Sequence, residues 1–140
     1  VAGMKVRYFI VPHDATQTVG YAIEAGGRRF VIMTDVGRMT DEAVEFSREA
    51  ETVVVESNYD MDMLMSGPYT YELKMRIAQG CGHLSNDECA GAIKKLGLKL
   101  ESVKEYPIDG TSHAVIVLRK VSPTPKQYPR RFAKIKQSPL

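Results

Sequence analysis

Side chains that commonly mark a staple or a site are scarce in this sequence: two cysteines, three histidines and no tryptophan in 140 residues. Cys81 and Cys89 cannot make a disulfide framework, and a CGH run followed eight residues later by a lone Cys is not a zinc-ribbon spacing. Both read as reduced thiols, which suits a cytoplasmic protein. No apolar run approaches the roughly 20 residues that span a bilayer, so no membrane is expected as a partner. The opening residues carry no signal-peptide pattern; they begin at Val1 and already read as a strand, as a fragment or a processed terminus would. Acidic residues are missing from one region only. From Arg119 to Leu140 there are seven Lys/Arg and no Asp or Glu, leaving 12 basic against 17 acidic side chains before it. Such a tail commonly meets an anionic polymer.

What is present is ordinary for one globular domain: 44% hydrophobic and 26% charged residues, enough to bury a core without staples. Met4–Val11 alternates and then turns apolar, as a strand entering a core does. Gly20–Ala25 and Arg28–Met33 flank Gly26-Gly27, which predicts a hairpin. Thr40, with Asp41 and Glu42 behind it, caps a short helix whose buried side carries Ala43, Phe46 and Ala50. TVVV at 52–55 predicts a short, fully buried strand that delivers Glu56. Residues 58–71 read as irregular, broken by Gly67-Pro68, and 72–79 as helical up to Gly80. Ser85 and Glu88 form a capping box; Cys89, Ile93 and Leu96 make the stripe behind it, and Gly97 stands at the stop. Leu98–Tyr106 and Ala114–Val121 predict two strands around Asp109-Gly110, and beyond Ser122 little regular structure is expected. The order β, β-hairpin, α, β, α, α, β, β makes the chain α/β, with α+β the alternative.

Two residues end apolar strands with chemistry attached. His13 follows the first strand in PHD, and Asp35 ends VIMTD ahead of Gly37. Strand ends are where a sheet presents groups to a cleft, and zinc, iron and manganese all take His nitrogen with carboxylate oxygen. A hydrogen-bonded loop histidine and a turn aspartate explain the same pattern. His83 lies in GCGHLSND just before the capped helix, where it serves either as a proton donor and acceptor beside a metal or as a loop residue helping the Ser85 cap. Glu56 and Asp60, in ESNYD, are candidates to orient a ligand histidine, or are simply charged loop residues. His113, between a turn and a strand, reads as a surface residue, and Met61, Met63 and Met65 as packing.

Three strings in order, HDATQTVGYAIEAGGRRFVIMTDVG, VVVESNYDMDMLMSGPYTYELKMRI and GCGHLSNDECA, closely resemble the YycJ-type (WalJ) branch of metallo-β-lactamase-fold hydrolases over about residues 4–91. The resemblance implies a partial αββα sandwich, a dinuclear site for a divalent transition metal (zinc first, manganese or iron next) and exonuclease-like phosphodiester cleavage of DNA. By that likeness His13 is a metal ligand, Asp35 the aspartate bridging two metals, and His83 the catalytic, proton-donating histidine of the GHLSN motif. The family's HxHxDH motif and its final ligand histidine have no counterpart in these 140 residues, so the chain alone is expected to be incomplete and inactive. About residues 92–140 are similar instead to the C-terminal end of the ribosomal small-subunit guanine methyltransferase of the glucose-inhibited-division B type, on TPKQYPRR and the closing SPL. That family uses S-adenosylmethionine on 16S ribosomal RNA, and no cofactor residue of it lies here. Lys126, Arg130, Arg131, Lys134 and Lys136 are then the expected RNA-phosphate contacts, with Tyr128 and Phe132 for stacking; a solvated basic tail is the plain alternative. The expected organisation is therefore a metallo-β-lactamase-like part at 1–91, a strand pair at 92–121 and a basic tail at 122–140, a chimera of two family ends. An exposed sheet edge would favour homo-oligomers.

Overall fold

The computed structural model describes residues 3–108 and 110–124. Its order is β1 (Met4–Ile10), β2 (Val19–Ala25), β3 (Arg28–Met33), α1 (Asp41–Arg48), β4 (Thr52–Val55), α2 (Met61–Ser66), α3 (Tyr71–Ala78), α4 (Asn86–Leu96), β5 (Leu98–Ile108) and β6 (Thr111–Lys120). Strands β1 to β4 form one sheet in sequence order, antiparallel until β4 joins β3 in parallel. Strands β5 and β6 form a separate antiparallel pair. Helices and strands are thus mixed but not regularly alternating, an α+β arrangement.

Short-range chemistry fixes most elements. Gly26 and Gly27 both have positive φ (57° and 76°), as a two-residue hairpin turn matching the strand twist requires. Thr40 accepts a hydrogen bond from the Ala43 amide and caps α1. In α4 the capping box of Ser85 and Glu88 is formed, and Gly97 closes the helix in the left-handed region. Helix α4 therefore runs unbroken across the point where the two family likenesses meet.

One face of the four-stranded sheet is covered. Phe9, Ala22, Val31 and Met33 point to that side and pack with Ala43 of α1, Leu84 and Cys89, and the Phe9 and Phe46 rings stack 4.6 Å apart. The opposite face leaves Met4, Val6, Tyr8, Ile10, Tyr21 and Val54 exposed. Strand β4 is accordingly not fully buried as its TVVV sequence suggests: it is an edge strand with Thr52 and Val54 exposed and Val53 and Val55 half-buried. A four-residue apolar run has the same composition whether one face or both are covered. The segment read as irregular holds a helix, α2, capped by the Asp60 carboxylate on the Met63 amide (2.9 Å). Only Leu64 of α2 is buried, so the helix carries almost no apolar periodicity to betray it.

The β5–β6 pair is tied to the body at its base. Lys120 Nζ donates to Arg48 O and to Thr124 Oγ1, both at 2.7 Å, and Thr124 Oγ1 donates to Leu96 O. Burial pushes the Lys120 ammonium below its ordinary range. Among the described residues no helix is long and apolar enough to cross a membrane.

Candidate active site

Three loops converge beyond the ends of β1, β3 and β4. The Gly37 amide donates to Pro12 O at 2.6 Å, which ties the loop carrying His13 to the loop carrying Asp35. Gly37 is needed for this approach, because a Cβ there would sit 2.5 Å from Gly80 O and 2.7 Å from Cys81 Cα. Gly82 is equally constrained, since a Cβ would run into the carbonyls of Arg76 and Ile77. The GCG run therefore lets the His83 loop lie directly against the other two.

His13 is fixed from below. Its Nδ1 lies 2.7 Å from Gly82 O, and its side chain is only 12% exposed. A carbonyl oxygen can only accept, so Nδ1 carries a proton and Nε2 is the ring nitrogen turned away from that bond. Asp14 Oδ1 stands 3.5 Å from that Nε2. The Asp14 carboxylate is also hydrogen-bonded by Arg76 Nε, which lowers its pKa below the ordinary carboxylate value.

His83 is fixed in the same way by a different group. Its Nδ1 lies 2.9 Å from Glu56 Oε2. The Glu56 side chain is 10% exposed; its Oε1 accepts from the amides of Val36 (2.7 Å) and Leu84 (3.3 Å), while Asn58 Nδ2 donates to Oε2. A carboxylate oxygen accepts this contact too, which puts an imidazole proton on Nδ1 and leaves Nε2 on the far side of the ring. The two rings meet edge-on, with centroids 5.1 Å apart at 62°.

Asp35 is exposed just past β3, with Oδ2 accepting from Thr34 Oγ1 at 3.2 Å. Its neighbour Val36 is bound to Glu56 and the next residue, Gly37, to Pro12, so its backbone belongs to the same cluster. His13 and His83, with Glu56, are thus brought together, whereas Asp35 shares only its backbone neighbours with them and its carboxylate contacts Thr34. Asp60 is not among them: its carboxylate is spent on the Met63 amide as the cap of α2. Glu56 is in hydrogen-bond contact with one imidazole, that of His83, while His13 contacts a backbone carbonyl. Asp14 and Arg76 carry no signal in the sequence beyond the HD pair, because 62 residues separate them.

The donor chemistry here suits a divalent metal, with imidazole nitrogens and a carboxylate. The number does not. Among the described residues no group of three or more His, Cys, Asp or Glu side chains is placed to hold a metal ion. Lys126, Arg130, Arg131, Lys134 and Lys136 lie outside the described residues, as does the side chain of His113.

Residues 1–103 match the family model of the beta-lactamase superfamily domain. Exodeoxyribonuclease WalJ of Streptococcus pneumoniae is 33% identical over 119 residues, which is 80% of this chain and 44% of that protein. Exodeoxyribonuclease YycJ of Bacillus anthracis is 34% identical over 90 residues, 64% of this chain and 34% of the relative. Ribosomal RNA small subunit methyltransferase G of Fervidobacterium nodosum is 36% identical over 70 residues, 48% of this chain and 32% of the relative. The chain spans less than half the length of each of these curated relatives, and both family resemblances are present in one polypeptide.

Proposed function

We propose that this chain, which belongs to the beta-lactamase superfamily, carries part of the active site of a metal-dependent phosphodiesterase acting on DNA. In this reading His13 is a terminal metal ligand, Asp35 the bridging one, and His83 the group that gives or takes the proton. Glu56 is a positioning residue acting through His83. The observation that supports it is the pair of imidazoles 5.1 Å apart, each with Nδ1 engaged by a protein acceptor, beside the Asp35 loop. With Nδ1 so held, one Nε2 suits a ligand and the other a proton carrier.

Two ligands are fewer than the three protein ligands a catalytic zinc normally has. The 140 residues alone are therefore proposed to hold metal weakly and to leave DNA uncut, acting only when another polypeptide supplies further donors. Zinc is the favoured metal, with manganese or iron next. The test is a zinc titration of the isotopically labelled chain followed by NMR. Signals of residues 13 and 35 should move together, and His13→Ala should abolish the response at 35. No response at either position up to millimolar zinc would reject the assignment.

The likeness to methyltransferase G favours a second reading, an RNA-binding C-terminal piece without methyl transfer, cut off near residue 92 from the hydrolase-like part. It predicts salt-sensitive RNA binding that vanishes on deletion of residues 122–140. Unchanged binding by the shortened chain would rule it out.

A further inference from the structure

Beside the two imidazoles, on the α3 side, an open cavity of about 430 Å3 is lined by Asp14, Tyr71, Glu72, Met75, Arg76, Gln79 and Cys81. Helix α3 is unusual in this fold because it contributes no buried side chain. It is nonetheless well fixed. Thr70 caps it, and the His83 amide donates to Ile77 O at 3.1 Å near its end. Arg76 bonds to Asp14, next to His13. A helix that adds nothing to the core but is anchored to the site loops at its C-terminal end presents its exposed face to the cleft.

That face combines two recognition groups. Arg76 engages Asp14 through Nε alone among the described contacts and is 68% exposed, so most of its guanidinium fork stays available to an anion. Tyr71, one turn and a half earlier, is 69% exposed. The five-residue step from Tyr71 to Arg76 rises about 7.5 Å along the helix axis, roughly two nucleotide steps of a stacked strand at about 3.4 Å each. A planar cation fixed beside the imidazoles and an aromatic ring set further out match a phosphate and a base of one strand.

From this geometry we propose that the α3 cavity is a binding subsite for a single nucleic-acid strand, Arg76 holding a backbone phosphate beside His13 and His83 while Tyr71 stacks a base. The nature of the ligand rests on the phosphodiesterase reading above; the subsite itself rests on the cavity, the fixed arginine and the exposed tyrosine. Asp14 is the group that aims Arg76 before the phosphate arrives.

The test is fluorescence anisotropy of a labelled 12-residue oligothymidylate titrated with the full 140-residue chain over a series of salt concentrations. The basic tail is the same in every variant, so differences report α3 alone. Tyr71→Leu should weaken binding by about 5- to 100-fold, the worth of one stacked base. Arg76→Gln should also weaken it and reduce the salt slope by about 0.7, one single-strand phosphate, while Arg76→Lys keeps the slope. The Tyr71 side chain has no hydrogen bond among the described residues, so it carries the test even if Arg76→Gln fails to fold. Parent-like affinity in Tyr71→Leu overturns the proposal. Zinc responses at residues 13 and 35 in the same variant separate the two ideas: intact zinc response with unchanged DNA affinity rejects the subsite and leaves the metal assignment standing.

Discussion

Glu56 Oε2 lies 2.9 Å from His83 Nδ1, while the other oxygen of the same carboxylate takes the Val36 and Leu84 amides. One side chain therefore orients the proposed proton carrier and joins the loop after β3 to the loop before α4. Glu56→Ala leaves two part-buried amides without an acceptor and is expected to cost about 2–4 kcal/mol in a denaturant melt. Glu56→Gln should cost less but offer an amide donor toward His83. Nitrogen NMR of the imidazole would then show the proton moved from Nδ1 to Nε2, and an unchanged tautomer would count against the orienting role.

The close packing of the three loops depends on glycine. A Cβ at Gly82 would strike two helix carbonyls of α3, and Gly82 O is itself the partner of His13. Gly82→Ala is expected to destabilise the chain by about 1–3 kcal/mol, the usual cost of overpacking, and to shift the His13 ring resonances. An Ala variant at half-buried Gly91, where a Cβ meets nothing within 4 Å, should do neither.

The two thiols should react very differently. Cys81 is exposed at the rim of the cleft, whereas Cys89 is 5% exposed and burial raises its pKa. A maleimide should label Cys81 within the native state and reach Cys89 only on unfolding, which mass spectrometry of labelled peptides would read. Equal labelling would mean that α4 is not packed as described.

In the β5–β6 pair, Glu101 occupies the register shift between Leu100 and Ser102 and is bound by Arg119. That hydrogen bond holds the Glu101 pKa below the ordinary glutamate value. A depressed carboxylate pKa contributes stability that is present above the ordinary value and lost as pH falls through the folded one. The Glu101 carboxyl signal should titrate below pH 4.5, and Arg119→Gln should return it upward. Screening in solvent keeps this pair a minor contributor to stability.

Most of what short-range chemistry encodes was legible in the residues themselves. The Gly26-Gly27 turn, the Thr40 cap, the Ser85–Glu88 box and the Gly97 stop each involve partners within four positions, so spacing alone specifies them. The strings around His13, Asp35 and His83 likewise pointed to their family. Helix α2 escaped because one buried residue gives no period to follow, and β4 was overrated because composition does not say how many faces of a strand are covered.

The partners of the site residues were decided only by the fold. His13 meets Gly82 across 69 residues, Asp14 meets Arg76 across 62, and Glu56 meets His83 across 27. The sequence determined which imidazoles and carboxylates exist and that strands would carry them to loop positions. Which carboxylate orients which imidazole, and whether an acid such as Asp60 is spent on a helix cap instead, depends on how closely separate loops approach. That approach is set by the absence of a Cβ at Gly37 and Gly82 and by the packing of the sheet on α1 and α4.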